Sequence, residues 1–370
     1  MRLLDRYLLR ELLVPLGYCL SGFLIFWLAF DLFSEMGQLQ DQKLRGGDIL
    51  QYYLARVPEF IVVVIPIALL LALLYTLTNH ARHHELTAIR AAGVSVWRLC
   101  VPYLGVGLAG TFVLFALNEI CVPRTSERAE RIFNRRLERP KKSAAPSSGL
   151  ANLREKRTWM AGQYNPRTSE MLNPQVLWTL PDGSELWLLA TRAVRINGIW
   201  TFYNAREFTA TADTNSMLAP AIQTNVLVMP QFRETPEEIQ SEINISKGMS
   251  LQSWNKADIP ISQILDYLRL HPQPPESIKP WLYTKLHGRL AMPWTCLVVV
   301  LIATPFGAAS GRRNVFVGVA SSLVICFAYF VLQKFALALG TSGYLAAWLA
   351  AWVPNLSFGI AGLCMMMRIR

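Results

Sequence analysis

Six long runs of apolar residues divide this chain, and they restrict its possible folds more than any other feature. A helix needs about 20 consecutive, mostly apolar residues to cross the hydrocarbon core of a bilayer. The runs that meet this length lie at 12–33, 57–79, 99–122, 290–309, 315–339 and 345–367. Three precede and three follow a long polar interval, and 52% hydrophobic residues are too many for a soluble protein of this length. The sequence therefore predicts an α-helical membrane protein with a 3+3 arrangement of spans.

Arginines in the short segments beside these runs predict the orientation of the chain. In membrane proteins, basic residues of short flanks concentrate on the cytoplasmic side. Here they are Arg2, Arg6, Arg10, Arg82, Arg90, Arg98, Arg312, Arg313, Arg368 and Arg370. All of these flanks lie on one side of the membrane if every run crosses it. We therefore expect a multi-pass inner-membrane protein with both termini in the cytoplasm and the long polar interval in the periplasm.

The polar interval has the pattern of an antiparallel β domain. Its apolar and polar residues alternate in short runs such as 186–189 and 199–203, which follow Asp182-Gly183 and Asn197-Gly198. Both dipeptides favour the tight turns of β-hairpins. We therefore expect an inserted periplasmic domain that resembles a β-jellyroll. The expected division is spans one to three in 1–122, the β domain with flanking helices in 123–285, and spans four to six in 286–370.

The chain carries no recognisable catalytic motif. A GxxxxGK[ST] phosphate loop, a GxSxG nucleophile elbow and the protein-kinase motifs are absent. Glycines at 105, 107 and 110 match GxGxxG in letters, but they lie inside span three, where small residues allow close helix packing. The HARHHE segment at 80–85 fits no zinc-binding pattern and is typical of a polar turn with interfacial histidines. We therefore predict no catalytic residue, no metal site, no cofactor and, despite the net charge of +11, no nucleic-acid partner.

The loop between spans two and three contains a short amphipathic segment, ELTAIRAAGVSV. Its spacing predicts a helix with a small apolar face and polar groups available for docking to another protein. The alternative is a helix that lies on the membrane surface. The residues that shape the two faces are Glu85, Leu86, Ile89, Arg90 and Gly93.

Asp31 lies near the outer end of span one. An ionisable group at this depth is costly unless it faces water, a partner or a substrate path, so Asp31 is a candidate binding residue. The alternative is that its side chain reaches the nearby interface.

Arginines recur every three or four residues in the segment that follows span three. This spacing aligns them along much of one helix face, and guanidinium groups match phosphate geometry. The alternative is a solvated face that is partly paired with Glu127, Glu130 and Glu138. The candidate anion-binding residues are Arg124, Arg128, Arg131, Arg135 and Arg136.

Three stretches together resemble a known family. They are Leu4-Asp5-Arg6-Tyr7-Leu8, the block VPEFIVVVIPIALLLALLYTLTNHARHHELTAIRAAGVSVWRL at 57–99, and the segment from Arg289 to Arg313 with Pro305 and GRR. The chain is similar to the permease subunits of the lipopolysaccharide-export ABC transporter, the LptF/LptG family. The resemblance covers all six spans and, more loosely, RAVRINGIWTFYNA at 192–205 in the β domain. The LDRY start and the short basic tail favour the G-type permease slightly.

This resemblance implies a heterodimer of two paralogous permeases with a cytoplasmic ATPase dimer. The complex extracts lipopolysaccharide, or a related glycolipid, from the inner membrane and passes it to periplasmic bridge proteins toward the outer membrane. The resemblance also implies a coupling helix at about 80–97, where Glu85 docks into the ATPase and Leu86, Ile89, Arg90 and Gly93 shape the contact. Helices 12–33 and 315–339 are then the lateral gate.

One position departs from the family pattern, because some permeases of the second type carry a lysine where this chain has Asp31. This departure puts phosphate contact at Asp31 in doubt and favours the arginine face at 124–136. Two other classes remain for comparison. A membrane-anchored periplasmic scaffold does not need a 3+3 layout with a docking helix, and permeases of the lipoprotein-release type have four spans with the domain after the first.

Overall fold

The computed structural model describes residues 3–41, 44–134, 148–152, 157–161, 163–165, 168–180, 184–210, 222–232, 234–249, 259–272, 274–308 and 315–368. Two compact units divide the chain. Met1–Leu137 and Glu276–Arg370 form a helical unit, and Glu138–Pro275 form a unit that contains the β-sheet. The sheet unit is therefore inserted in sequence between two groups of helices.

The helical unit contains long apolar helices and several shorter, more polar ones. They are α1 (Leu3–Asp41), α2 (Gly46–Arg82), α3 (Glu85–Ala91), α4 (Val96–Ala116), α5 (Val122–Asn134), α8 (Lys279–Ala291), α9 (Thr295–Ala308), α10 (Val315–Thr341) and α11 (Ala347–Arg368). A π-helical turn, Leu117–Cys121, joins α4 to α5, and a 3₁₀ turn, Met292–Trp294, joins α8 to α9.

Six segments of the described chain are long and apolar enough to cross a membrane, which confirms the predicted 3+3 arrangement. They are Leu3–Gly37, Gly46–Arg82, Trp97–Phe133, Lys279–Pro305, Leu323–Thr341 and Ala347–Arg368. Several helices continue beyond their apolar runs. At α1, this extension is stabilised by Leu8 near one end and Leu39 near the other, both fully buried although Leu8 and Leu39 lie outside the run at 12–33.

Small residues of the third span pack closely against the fourth. A Cβ atom added at Gly107 would lie 3.0 Å from Cγ2 of Val300, and one added at Gly110 would lie 3.3 Å from Sγ of Cys296. Both neighbours belong to α9. The interpretation of these glycines as helix-packing residues is therefore confirmed at these two positions, whereas Gly105 has no atom within this range.

The sheet unit has nine described strands and two helices. They are β1 (Ser148–Asn152), β2 (Arg157–Ala161), β3 (Gln163–Asn165), β4 (Glu170–Leu172), β5 (Gln175–Thr179), β6 (Glu185–Leu189), β7 (Arg192–Ile196), β8 (Ile199–Ala210), β9 (Ile222–Met229), α6 (Pro236–Met249) and α7 (Ile261–Leu270). The strand order is β1-β2-β5-β6-β8-β7-β4-β3, and β9 also pairs with β8. These strand pairs are antiparallel, so the predicted fold class is confirmed.

The long strand β8 organises this curled sheet. Its first half pairs with β7 and its second half with β6, while β9 pairs with it from Trp200 to Glu207. Ile196 and Ile199 are directly paired, which leaves Asn197 and Gly198 as a two-residue turn with φ values of 51° and 85°. Positive φ at both positions is the geometry that Asn-Gly favours in a hairpin, so this predicted hairpin is confirmed. Asp182-Gly183 lie outside the described residues.

An aromatic core fills the sheet unit. Trp159, Trp200, Phe202 and Phe232 are each at most 1% exposed, and their ring centroids lie 5.3 to 5.8 Å apart in neighbouring pairs. Aromatic rings contribute large apolar areas and favour such tilted contacts. The sheet unit therefore has a hydrophobic core of its own, separate from the packing of the spans.

Candidate functional site

The loop between the second and third spans forms a shorter helix than its sequence predicts. The expected helix covers 85–96, whereas α3 ends at Ala91. Gly93 has a φ of +81°, a left-handed conformation that ends a helix without steric strain in glycine. Ser95 then caps α4 by accepting a hydrogen bond from the Arg98 backbone N–H. The segment is therefore one short helix followed by a turn, which corrects the predicted boundary.

The Glu85 carboxylate lies between the first two spans at the start of α3. Tyr7 Oη of α1 donates a hydrogen bond of 3.0 Å to Glu85 Oε2, and His80 Nδ1 of α2 lies 2.7 Å from the same oxygen. We call these three residues the Glu85 clasp. Partial burial opposes ionisation of Glu85, but the hydrogen bonds from His80 and Tyr7 outweigh it and hold its pKa below the ordinary value. Glu85 is therefore an ionised, oriented carboxylate.

A second polar contact attaches α1 to the far side of the same loop. Arg98 Nη2, in the first turn of α4, donates to both carboxylate oxygens of Asp5 at 3.0 and 2.8 Å. Asp5 and Tyr7 are two residues apart in α1, so the loop is bonded at both its ends to one short stretch of α1.

The other predicted docking residues differ in what the structure shows of them. Ile89 is half-buried and Gly93 is exposed. The backbones of Leu86 and Arg90 belong to α3, but their side chains fall outside the described part of the chain. The structure thus places the oriented Glu85 and the exposed Gly93 at the two ends of one short loop.

Asp31 belongs to a compact charged group at the opposite end of the α1–α2 pair. Arg56 Nη1 lies 2.8 Å from Asp31 Oδ2 and 3.1 Å from Glu35 Oε2, and Arg56 Nε lies 3.5 Å from Glu59 Oε2. Tyr52 Oη donates to Glu35 and also accepts a hydrogen bond from Arg56. We call these five residues the Arg56 cluster. The side chain of Arg56 is only 9% exposed.

This cluster gives Asp31 a different setting from the one its sequence position suggested. The sequence left open a substrate path or contact with the interface, whereas the structure gives the carboxylate an ion pair with a buried arginine from the next helix. The Arg56 guanidinium also lies over the rings of Tyr52 and Phe60, at 5.4 and 5.0 Å from their centroids. Asp31 therefore contributes to helix packing through Arg56.

The basic face of α5 lies on the outside of the helical unit. Ala129 is buried, with Ile132 and Phe133 partly buried in the same cluster of apolar residues as Tyr52 of α2. The opposite side of α5 carries the predicted arginines. Arg124, Arg128 and Arg131 are exposed there, and Arg135 and Arg136 lie outside the described residues. Arg131 pairs with Glu127 at 3.4 Å, but both side chains are more than half exposed, so this ion pair contributes little to stability. It can therefore be exchanged at little energetic cost for contact with an anionic ligand.

Sequence reasoning missed the partners of the two acidic residues that it singled out. Arg56 and Glu59 stand at the start of the second apolar run, and charged residues three apart at that depth were a usable signal for a buried ion pair. No comparable signal marked His80. A left-handed residue, His84, turns the chain between α2 and α3, and this turn brings His80 onto Glu85.

Comparison with known families gives a match over almost the whole chain. The model of a family described as lipopolysaccharide export system permease LptF/LptG matches residues 6–368, which include all six spans and the sheet unit. No curated protein matches the sequence.

Proposed function

Because the chain belongs to the LptF/LptG family of lipopolysaccharide export permeases, we propose that it forms the membrane path of an exporter that a separate ATPase drives. The match over residues 6–368 carries this proposal, since it joins the spans, the α3 loop and the sheet unit in one family pattern. In this proposal the chain pairs with a paralogous permease, binds a cytoplasmic ATPase dimer and delivers lipopolysaccharide to periplasmic bridge proteins.

The α3 loop supports a docking role for Glu85. Among the described residues, both hydrogen bonds to Glu85 go to Oε2, and its side chain is 32% exposed. An oriented and ionised carboxylate at the start of a short helix is suited to bind a cation of a partner protein through its other oxygen. We therefore assign α3 as the coupling helix, with Leu86, Ile89, Arg90 and Gly93 at the same contact.

The basic face of α5 supports a role in binding the lipid. Exposed guanidinium groups at 124, 128 and 131 follow the apolar run at 99–122, and phosphate groups are their best-matched ligands. Exposed aromatic residues along α1 and α10, such as Phe30 and Phe327, offer an apolar surface beside acyl chains or a partner permease. Asp31 is assigned to packing, since it is paired with Arg56 of the next helix.

The proposed orientation follows from the arginines of the short flanks. It places both termini and α3 in the cytoplasm and the sheet unit in the periplasm of a Gram-negative cell envelope. This orientation puts the docking carboxylate on the side where ATP is present and the basic face of α5 on the side from which lipid leaves.

The first experiment is affinity purification of the tagged chain in mild detergent, with mass spectrometry of bound proteins and lipid. We expect a second permease, an ATPase and a phosphorylated glycolipid. The variant Glu85→Ala should lower recovery of the ATPase at least severalfold, whereas Glu276→Ala, at an exposed carboxylate of another segment, should not. Recovery of periplasmic proteins alone would contradict the proposal and favour a membrane-anchored scaffold.

A second experiment tests the α5 face by charge reversal. Arg128→Glu and Arg131→Glu should reduce photocrosslinking of the chain to the glycolipid while the protein complex still assembles. Arg206→Glu, at an exposed arginine of β8 in the sheet unit, is the control that makes the same change of charge elsewhere. Equal crosslinking in all three variants and the unchanged chain would remove α5 from the lipid path.

A further inference from the structure

The helix α3 depends on contacts outside itself for its position. It has seven residues, whereas isolated helices shorter than about 12–15 residues are marginal in water. Residues in left-handed conformations border it on both sides, His84 with φ of 57° and Gly93 with φ of 81°. Neither border continues the helix into its neighbours, so side-chain contacts must fix its direction.

The strongest of the described contacts converge on its first residue. A carboxylate oxygen only accepts hydrogen bonds, so Tyr7 Oη and His80 Nδ1 both donate to Glu85. His80 is 1% exposed, and its ring lies 5.8 Å from the ring of Tyr7. Because the imidazole is enclosed, it cannot turn away from Glu85 as an exposed donor could. The proton on Nδ1 therefore points at a fixed place, and the carboxylate is held there.

The short stretch of α1 that contains Tyr7 also holds the other end of the loop. Asp5 binds Arg98 at the start of α4, and Tyr7 binds Glu85 at the start of α3. The apolar part of α1 is mostly exposed along its length, with Ile25, Phe26 and Phe30 all more than half exposed. The first turns of α1 are thus bonded to the loop, while much of the helix surface is not packed against the described residues of the chain.

We propose that Tyr7 and His80 are positioning residues that aim the Glu85 carboxylate and join α3 to α1, so that a displacement of α3 also displaces the first span. This inference rests on the proposed function, because it takes α3 to be the helix on which the ATPase acts. It adds a specific route for that motion: from α3 through the Glu85 clasp into the first turns of α1, and from there along a continuous helix of 39 residues.

The first test measures hydrogen exchange of the α3 amides in the full-length chain in nanodiscs. Tyr7→Phe removes only the hydroxyl, and His80→Leu removes the donor at similar volume. Each should speed exchange at 85–91 by roughly fivefold, the effect of losing about one hydrogen bond. His80→Asn places an N–H donor near the position of Nδ1 and should restore slow exchange. Tyr18→Phe, at a hydroxyl on the exposed surface of α1, should have no effect.

The second test uses the complex with its ATPase and compares ATP hydrolysis with and without lipid. We expect Tyr7→Phe and His80→Leu to assemble with the ATPase, but to lose at least half of the lipid-dependent stimulation, which His80→Asn recovers. A merely structural role would alter exchange and leave the stimulation ratio unchanged, and that result would overturn the coupling role.

The two tests separate failure of this inference from failure of the proposed function. Unchanged α3 exchange in both Tyr7→Phe and His80→Leu would overturn the clasp even in a complex that assembles normally. If no ATPase binds the unchanged chain, the proposed function and the coupling role both fail, while the exchange data still decide whether Tyr7 and His80 hold α3.

Discussion

The two ends of the α1–α2 pair are both closed by polar contacts, but with very different chemistry. At one end, the Arg56 cluster places three carboxylates around one guanidinium, with side chains between 9% and 22% exposed. At the other end, the Glu85 clasp uses one carboxylate, a phenol and an imidazole; His80 is buried, but the Glu85 side chain is 32% exposed and Tyr7 is 41% exposed. Charges in a buried group cannot be released to water cheaply, whereas those of a half-exposed group can. The comparison indicates a connection that is hard to break at the Arg56 end and one that is easier to break at the Glu85 end.

Removing the guanidinium should have the largest effect. Arg56→Met leaves Asp31, Glu35 and Glu59 close together without their cation, and breaking a buried ion pair in this way costs about 3–5 kcal/mol. The measurement is the free energy of unfolding of the full-length chain in mixed micelles. Arg128→Met, at an exposed arginine of α5, is the matched control and should change stability by less than about 0.5 kcal/mol. Equal losses in the two variants would show that the Arg56 cluster is not a structural connection.

The Asp5–Arg98 pair should contribute an intermediate energy, because it lies at the Glu85 end, which is easier to break, but has good hydrogen-bond geometry. Arg98 is 35% exposed on its side chain and binds both oxygens of Asp5. A double-mutant cycle with Asp5→Asn and Arg98→Gln should give a coupling energy of about 1 kcal/mol. The same unfolding assay measures it. A coupling energy as large as the loss in Arg56→Met would remove the distinction between the two ends.

The difference between the two ends also shows which features can be predicted from the sequence. Span number and the Asn197-Gly198 hairpin follow from local patterns, and the structure agrees with both. The Asp31–Arg56 contact joins residues 25 positions apart on two helices, and its formation depends on how those helices are rotated against each other. A run that is apolar on nearly all sides has no clear periodicity, so its sequence does not show which side faces the neighbouring helix. The sequence therefore identified Asp31 as unusual without identifying its partner.

The end of α3 was predicted wrongly for a related reason. The spacing of apolar residues in 85–96 continues past Ala91, but Gly93 takes a left-handed conformation that a periodic pattern does not encode. The periodic pattern places Gly93 on a face of the predicted helix, although glycine after a short helix is a common stop signal. Turn chemistry at this position outweighed periodicity.

One contact in the sheet unit should lose stability as pH rises, whereas the Glu85 clasp should lose it as pH falls. His271, after α7, lies 3.2 Å from Glu242 of α6. Burial lowers the pKa of His271, but the hydrogen bond and charge of Glu242 outweigh it, so its pKa lies above 6.5; the Tyr267 carbonyl and Glu238 act in the same direction. The contact therefore stabilises α6 against α7 fully below the unfolded pKa, and this contribution is lost as pH rises through the folded value.

Hydrogen exchange of α6 and α7 in the full-length chain measures this effect. After correction for intrinsic rates, the opening free energy of both helices should fall by about 1 kcal/mol or less between about pH 6 and pH 8. His271→Gln keeps a polar side chain without this titration and should have a flat profile. A profile that is the same in both proteins would exclude His271 as its source.

The Glu85 clasp should show the smallest effect on stability, and the sign of its pH dependence tests whether the carboxylate charge holds α3. Its folded pKa lies below the ordinary value of 4.5, so the clasp contributes fully above 4.5 and weakens as pH falls through the lower folded value. Exchange of the α3 amides should therefore accelerate below pH 4.5. Glu85→Gln still accepts a hydrogen bond from Tyr7 but carries no charge, and its α3 exchange should not depend on pH in this range. If α3 of the unchanged chain stays equally protected through this range, the carboxylate charge does not hold α3, and the proposed difference between the Glu85 end and the Arg56 end is contradicted.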